Sequence, residues 1–154
     1  TIPGVQIRKA AGSKDLDLIR DLMLICGVST IRARISATLD GSTWWLAFRD
    51  GIEIGCIGLE YGDGASLMRA VAVEESERNL GLGDALVNTA LDAARARKDA
   101  AVYLFSKTDD FWQRYGFQPV EMDELVAALP EAPQVLAGLQ WDWLEREQAW
   151  KLVL

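Results

Sequence analysis

The stretch that decides the fold is LMRAVAVEESERNLGLGDALV, residues 67–87. Its first seven residues are mostly apolar and predict a β-strand over residues 67–73. Arg78, Gly81 and Gly83 follow, and apolar residues then recur at helical spacing. A strand, a glycine-rich loop and a helix in this order predict either an ordinary helix start or a backbone cradle for phosphate.

Two common phosphate-binding motifs do not fit this loop. The dinucleotide fingerprint needs a third glycine where Leu86 stands, and Walker A needs Lys-Ser/Thr where Asp84 and Ala85 stand. The glycines can still bring bare backbone close to an anion, and the first amides of a helix lack internal partners. Arg78 would add a charge-assisted hydrogen bond. The loop alone therefore leaves both interpretations open, and the ordinary helix start is the simpler one.

The composition excludes several kinds of chemistry. The chain has 154 residues, a net charge of −7 and no histidine. A Ser-His-Asp triad and a Cys-His pair are therefore impossible, and two cysteines are too few for a typical zinc site. We expect no metal and free thiols in a reducing compartment. The acidic balance argues against nucleic acid or an anionic membrane as partner and suits a cationic or zwitterionic small molecule better.

The chain shows no sign of targeting or of a second domain. Its apolar runs are too short to span a bilayer, and the first residues show no signal peptide. We therefore expect a cytoplasmic protein. No repeat, low-complexity tract or linker interrupts the chain, which predicts one domain over residues 1–154.

The segments around the loop predict mostly strands. Residues 5–9 alternate and predict a first strand, and Asp50-Gly51 between TWWLAFR and IEIGCIGLEY predicts a tight hairpin. A turn at 62–66 adds the third strand of an antiparallel meander. The helix after the glycine loop leads to a buried strand at 101–106, and this crossover requires parallel pairing.

The other segments predict short helices. Apolar residues at 16–26 recur at helical spacing, and Ser13 is the predicted cap of that helix. Further helices are predicted from Ser29 or Thr30 to about Leu39, near 111–115 after a cap at Thr108 or Asp109, at 122–129 and at 141–147, with a last strand at 150–154.

The order of these elements, with two motifs, resembles the GCN5-related N-acetyltransferase (GNAT) family. That family carries an Arg/Gln-x-x-Gly-x-Gly/Ala loop after its fourth strand, and RNLGLG at 78–83 matches it. An aromatic pair before Gly-Phe is a second mark, matched by FWQRYGF at 111–117. The resemblance covers nearly the whole chain. It implies an α/β (α+β) GNAT fold with a mixed, mostly antiparallel sheet of six or seven strands, about four flanking helices, and a splay between strands 4 and 5.

Finer likenesses indicate a substrate class. GCIGLE and LMRAVAV are similar to arsenic-resistance-type N-acetyltransferases, and FWQRYGFQPVEMDEL and KLVL resemble the acetyltransferase domain of amino-acid N-acetyltransferases. The resemblance implies acetyl transfer from acetyl-CoA to a primary amine of a small molecule. Because the sequence shows no activated nucleophile, we expect direct attack without an acyl-enzyme. An amino-acid-like amine is the first expectation, an aminoglycoside or polyamine the second, and a protein lysine or N-terminus the third. The rival is a catalytically idle module that binds CoA or a partner. A homodimer is possible.

The resemblance also implies where acetyl-CoA binds. The backbone of Val71 and Val73 would pair with the pantetheine arm, and a bulge in the fourth strand would free an amide that polarises the thioester carbonyl. Asp84 is acidic beside the expected pyrophosphate, so we expect its side chain to turn away while its N–H binds. The expected cofactor-binding residues are Val71, Ala72, Val73, Arg78, Asn79, Leu80, Gly81, Leu82, Gly83 and Asp84.

Four cations are candidates for the 3′-phosphate of CoA. They are Arg95, Arg97, Lys98 and Lys107. For each of them a solvated helix end or loop position is the simpler interpretation.

Three residues are candidates for the chemistry. Glu60 is the candidate base, directly or through water, and a carboxylate at a strand end is the alternative. Arg69 is the candidate clamp for a substrate carboxylate, and a salt bridge to Glu60 is the alternative. Ser106 ends the fifth strand and either contacts substrate or caps the next helix.

The proton donor is not assigned by the sequence. Trp112 stands where many relatives have a tyrosine that protonates the leaving thiolate, and an indole N–H is no acid at neutral pH. We expect Tyr115 to have a core role and Cys56 to be a buried thiol rather than a nucleophile. The thiol of CoA has a pKa of about 8.5, so its thiolate can leave without a dedicated acid.

Overall fold

The structure is a computed structural model that describes residues 2–27, 37–107 and 110–154. Its seven strands are β1 (Val5–Lys9), β2 (Ser42–Arg49), β3 (Ile52–Tyr61), β4 (Ala65–Val73), β5 (Ala101–Phe105), β6 (Gln118–Val120) and β7 (Ala149–Val153). They form one sheet in the order β1-β2-β3-β4-β5-β7-β6. The β4–β5 pair is parallel and all other neighbours are antiparallel, which confirms the predicted mixed, mostly antiparallel sheet.

Five α-helices lie in the described parts of the chain. They are α1 (Gly12–Ile25), α2 (Leu82–Ala96), α3 (Asp110–Gln113), α4 (Met122–Ala128) and α5 (Pro133–Trp141). Helix α2 is the crossover between β4 and β5 that the sequence predicted. Sheet order and helix placement confirm the predicted GNAT fold.

The β2–β3 hairpin turns where the sequence predicted it. Asp50 and Gly51 both have positive φ values, 52° and 79°. A two-residue turn with both residues in this region matches the twist of the flanking strands. The meander of β2, β3 and β4 is therefore specified locally, and it carries β4 to the centre of the sheet.

The two faces of the sheet carry different helices. Helix α2 packs against one face through a stripe of buried side chains. Its buried residues are Leu82, Leu86, Val87, Ala90, Leu91 and Ala94. Helix α1 packs through Ile19, Leu22 and Met23 against a separate cluster that contains Trp44 and Cys56. Burial of a large aliphatic side chain stabilises the folded state by about 1.5–3 kcal/mol. The two stripes therefore hold α1 and α2 on the sheet.

Strands β4 and β5 separate along their length. They pair only at Ala65, Ser66 and Leu67 of β4, and no later residue of β4 pairs with β5 in the described structure. Strand β5 instead continues its pairing with β7 through Phe105. The predicted splay between strands 4 and 5 is therefore present, and it opens toward the glycine loop.

Several local predictions were wrong. Ser13 lies inside α1, whose N-cap is Ala11, and the carboxylate of Asp15 accepts the Ala11 N–H at 2.8 Å. The α-helix predicted at 141–147 lies earlier, over Pro133–Trp141, because Pro133 suits a first helical turn, and only a 3₁₀ helix at Leu144–Arg146 falls within the predicted range.

Two predicted helix starts cannot be compared with the structure. The start at Ser29 or Thr30 and the cap at Thr108 or Asp109 lie outside the described residues.

Candidate active site

A cleft of about 820 Å³ opens where β4 leaves β5. Its volume is within the range of cofactor sites in proteins. Its lining comes from the end of β4, the glycine loop, the end of β5 and the segment after it. The lining residues are Ala70, Val71, Val73, Glu77, Arg78, Asn79, Gly81, Gly83, Asp84, Phe105, Ser106, Phe111, Trp112 and Arg114.

Strand β4 carries a bulge at the mouth of this cleft. Its pairing with β3 runs up to Arg69 and resumes at Ala72. The two residues between, Ala70 and Val71, lie opposite the single residue Ile57. Ala70 has a φ of 54°, a conformation that residues other than glycine seldom adopt. A bulge takes residues out of the ladder and so makes backbone groups available here, as the expected thioester site requires.

The glycine loop exposes the start of α2 to the cleft. Asn79 and Gly81 have positive φ values of 65° and 87°, which turn the chain sharply into the helix. Gly81 is the N-cap and provides no side-chain cap. The first amides of α2 therefore have no partner within the helix, and together with the helix dipole they favour an anion.

Gly83 has no structural reason to be glycine. It lies within α2, and a Cβ added there would meet no atom of the described structure within 4 Å. Its φ is not in the left-handed region, unlike that of Gly81. Glycine at a helical position costs about 0.5–1 kcal/mol relative to alanine. A ligand that approaches the backbone closely accounts for a small residue at this position, whereas packing within the described structure does not.

Arg78 joins the loop to the end of β4. Its Nε donates to the carbonyl of Val73 at 3.0 Å, and its side chain lines the cleft. The neighbouring carboxylate of Glu77 accepts from Arg49 at 3.1 Å. The negative charge of Glu77 is thus compensated, while Arg78 contributes positive charge to the cleft.

Asp84 turns its side chain toward the segment after α3. Its Oδ1 accepts hydrogen bonds from Arg114 Nη2, at 2.8 Å, and from the hydroxyl of Tyr115. Burial and the hydrogen bond to Asp84 raise the pKa of Tyr115 to about 12. Tyr115 is therefore not a proton donor for a thiolate at neutral pH, and it does not line the cleft.

Glu60 and Arg69 form a buried ion pair away from the cleft lining. Arg69 Nη1 donates to Glu60 Oε2 at 2.9 Å, and the two side chains are 3% and 1% exposed. Glu60 Oε1 accepts the backbone N–H of Gln134, in the first turn of α5, at 2.9 Å. Burial raises the pKa of Glu60, and the positive charge of Arg69 opposes this rise. The salt bridge that the sequence offered as an alternative is present.

Three predicted cofactor residues have side chains that point into the core or into solvent rather than into the cleft. Ala72 is fully buried on the face that α1 covers, and Leu82 belongs to the core beneath α2. Leu80 is 57% exposed. None of these three side chains lines the cleft, so only their backbone is available to a cofactor.

Three of the four cations predicted for the 3′-phosphate lie at the end of α2 opposite the glycine loop, and Lys107 directly follows the cleft residue Ser106. Arg95 lies in the last turn of α2, which has 15 residues and is therefore about 20 Å long. Arg97 donates to the carbonyl of Gly62 and to Asp99. Lys98 follows at the same end, and Lys107 Nζ is 4.0 Å from a carboxylate oxygen of Glu147.

Three cleft residues were missed as contacts by the sequence reasoning. Phe111, Trp112 and Arg114 line the cleft, whereas the sequence motif FWQRYGF was used as a family mark and to locate the usual proton donor at Trp112. The rings of Phe111 and Trp112 meet edge to face with centroids 4.7 Å apart. The motif itself was the signal, since aromatic residues beside a predicted cofactor loop are candidates for its wall.

The described residues show neither a metal site nor a membrane-spanning helix. No group of three or more His, Cys, Asp or Glu side chains in residues 2–27, 37–107 and 110–154 is placed to hold a metal ion. No helix in the same ranges is long and apolar enough to cross a membrane.

A sheet that splays at a bulged fourth strand, beside a helix start without a side-chain cap, is the arrangement that the resemblance to the GNAT family implied. The family described as "Acetyltransferase (GNAT) domain" matches residues 40–119. The chain therefore belongs to the GNAT family of acetyltransferases, which use acetyl-CoA. No curated protein sequence matches it.

Solved structures of low sequence identity share the fold. N-acetylglutamate synthase from Neisseria gonorrhoeae, complexed with coenzyme A and N-acetyl-glutamate, is 20% identical with a TM-score of 0.73 over 97% of this chain and 35% of that one. Rv2747 from Mycobacterium tuberculosis, in complex with CoA, is 21% identical with a TM-score of 0.71. The match covers 97% of this chain and 99% of that one. An acetyltransferase from Streptococcus agalactiae is 17% identical with a TM-score of 0.70, over 99% of each chain. This chain thus spans about a third of the length of the synthase.

Proposed function

We propose that this protein transfers the acetyl group of acetyl-CoA to the primary amine of a small, amino-acid-like molecule. The observation that carries the proposal is Gly83, which neither backbone conformation nor packing requires and which faces the cleft. The pyrophosphate of CoA fits there, on the first amides of α2. Arg78 supplies positive charge beside it.

The bulge in β4 supplies the group that stabilises the transition state. In the proposed complex the pantetheine arm pairs with the backbone of Val71 and Val73 in the gap left by β5. The thioester carbonyl then accepts a hydrogen bond from an amide at the bulge. Such a fixed donor, aimed at developing negative charge, contributes about 3–4 kcal/mol to lowering the barrier.

The amine attacks the thioester directly in this proposal. Cys56 is fully buried, and burial raises its pKa to about 12, so it does not serve as a nucleophile. With Trp112 at the position of the usual acid, the thiolate leaves without a dedicated proton donor. The attacking amine must first lose a proton, and this requires a base.

Glu60 remains the proposed base, although its carboxylate is already engaged in hydrogen bonds. Both carboxylate oxygens accept hydrogen bonds, from Arg69 and from the backbone of Gln134. A proton would therefore have to reach Glu60 through water. Arg69 would have to exchange Glu60 for a substrate carboxylate in order to act as the proposed clamp. Ser106 lines the cleft at the end of β5 and is the more accessible proposed substrate contact.

An amino-acid-like substrate is supported by the motifs shared with amino-acid and arsenic-resistance-type N-acetyltransferases. The structural likeness to N-acetylglutamate synthase agrees with it at the level of fold. An aminoglycoside or polyamine is the second candidate, because a net charge of −7 attracts a polycation. The rival from another class is a catalytically idle CoA-binding module, and Trp112 in place of tyrosine favours it.

Two measurements test the proposal in sequence. Acetyl-CoA is titrated calorimetrically, and CoA thiol release is then followed with amino acids, aminoglycosides and polyamines at equal concentration. Micromolar binding and turnover with amino acids are the expected results. Absence of binding would refute the cofactor assignment, while binding without turnover on any amine would favour the idle module.

A further inference from the structure

The cleft carries an acidic side chain where phosphate is expected. Asp84 lies in the first turn of α2 and lines the cleft, as do Gly81 and Gly83. A carboxylate here would repel the phosphates of CoA. The structure compensates this charge with Arg114, which belongs to the segment after α3 and lies against Asp84 at 2.8 Å.

The position of Arg114 is defined by several contacts. Its guanidinium lies over the ring of Phe111, at 4.4 Å from the centroid, and within 5.2 Å of the centroid of Tyr115. Its hydrogen bonds within the described structure, to Asp84 and to the Tyr115 hydroxyl, use Nη2 only. A guanidinium has five N–H donors, so those of Nε and Nη1 remain for a ligand. The side chain lines the cleft and is half exposed.

We propose that Arg114 binds a phosphate of CoA directly and that Asp84 is the positioning residue that orients it. This inference rests on the proposed binding of CoA in the cleft. The planar fork of arginine suits a phosphate oxygen pair, and the Asp84 contact removes the conformational freedom that an exposed arginine would lose on binding. Arg114 and Arg78 then flank the cradle from two different segments.

A purely structural role is the competing explanation. In that case Arg114 would only neutralise Asp84 and hold the chain after α3 against α2. Under both explanations Arg114→Gln weakens CoA binding, because the unpaired Asp84 would repel phosphate. Once the charge of Asp84 has been removed, only a direct phosphate contact predicts that Arg114→Gln still weakens binding.

The test is therefore a double-mutant cycle with CoA, measured by calorimetry on wild type, Arg114→Gln, Asp84→Asn and the double variant. Asp84→Asn keeps an oxygen that accepts from Arg114, and we expect CoA to bind it as tightly as wild type or severalfold more tightly. In the Asp84→Asn background, Arg114→Gln should still weaken CoA binding by about tenfold to a hundredfold, the range of a charged hydrogen bond. Equal affinity of Asp84→Asn and the double variant would overturn the proposal.

Two controls make the result specific. Arg146→Gln removes another exposed arginine, which donates to the carbonyl of Asp142 and does not line the cleft, and it should leave CoA affinity unchanged. Arg114→Lys should restore part of the affinity, because it keeps the charge but loses the fork. If wild type binds no CoA, the proposed function fails; if wild type and Arg114→Gln bind equally, only the role of Arg114 fails.

Shortened cofactors identify the phosphate. Dephospho-CoA lacks the 3′-phosphate and keeps the pyrophosphate. If the loss caused by Arg114→Gln disappears with dephospho-CoA, Arg114 contacts the 3′-phosphate; if the loss persists, Arg114 contacts the pyrophosphate. Either result supports a direct phosphate contact, provided that the loss with CoA is present in the Asp84→Asn background.

Discussion

Gly83→Glu should make the protein more stable and weaken its binding of acetyl-CoA by about a hundredfold. Gly83 lies in the first turn of α2, and an added Cβ meets no described atom within 4 Å. Replacing a helical glycine with a good helix former gains about 0.5 kcal/mol, and a negative charge near the helix start adds about 0.3 kcal/mol or more. For a domain of this size, a gain of about 1 kcal/mol raises Tm by about 2–4 °C.

The same substitution places a carboxylate in the proposed phosphate cradle. Two unit charges about 5 Å apart interact with about 3 kcal/mol at an effective dielectric constant of about 20. This corresponds to an affinity for acetyl-CoA that is lower by about a hundredfold. Gly83→Ala should gain similar stability with only a small loss of affinity, since the family motif accepts alanine at this position.

Urea unfolding and calorimetric titration with acetyl-CoA measure the two effects separately. Asn88→Glu is the matched control, because Asn88 is exposed on the same helix, outside the cleft, and the variant adds the same charge. We expect this control to keep wild-type affinity. Undiminished affinity of Gly83→Glu would refute the cradle, and a loss of stability above about 1 kcal/mol would refute the claim that the position is open.

Three further predictions concern buried or capping charges. Glu60→Gln should slow turnover without changing the Kd for acetyl-CoA, as measured by thiol release and calorimetry; unchanged turnover across pH would exclude the base role. Arg69→Met should lower the free energy of unfolding by about 3–5 kcal/mol at pH 7, because it leaves Glu60 buried without its cation. The loss should be smaller at pH 5, since burial raises the pKa of Glu60 and protonation removes the unpaired charge; an equal loss in urea unfolding at both pH values would contradict this. Asp15→Ala should cost about 1–2 kcal/mol at pH 7 through loss of the ion pair with Arg8 and of the cap on Ala11. Hydrogen bonds from Arg8 and from the Ala11 N–H lower the pKa of Asp15 to about 2, below its ordinary value of 3.8, so this contribution is complete above about pH 5. It should be lost as pH falls toward 2, and a difference from wild type that stays constant over that range would contradict the assignment.

The parts of the fold that the sequence predicted correctly depend on local signals. Asp50-Gly51 specifies the hairpin because its two residues accept positive φ values, and the apolar stripe specifies α2 because its period matches the helix. Helix α5 was misplaced because apolar residues and tryptophans continue through 135–144 without a clear period. Pro133 is the start signal of this helix, because proline suits the first helical turn.

The contacts of the site could not be predicted in the same way. The pair of Asp84 and Arg114 joins residues 30 positions apart in the chain, and only the folded structure brings them together. The glycine loop was recognised because its residues are contiguous. The sequence alone does not distinguish this loop from an ordinary helix start. The distinction depends on the empty space beside Gly83, which only the structure shows.

The bulge in β4, by contrast, is implied by the residues of the strand. In a regular strand Arg69, Val71 and Val73 would share one face, since side chains alternate with a period of two. The structure instead packs both valines on the α2 side, while Arg69 lies beside Trp44 on the α1 side, 5.4 Å from the centre of its ring. One extra residue between Arg69 and Ala72 shifts the alternation, so that the charge and the valines face opposite ways. An arginine in phase with valines in a buried strand thus indicates a bulge, and here the bulge lies at the proposed thioester site.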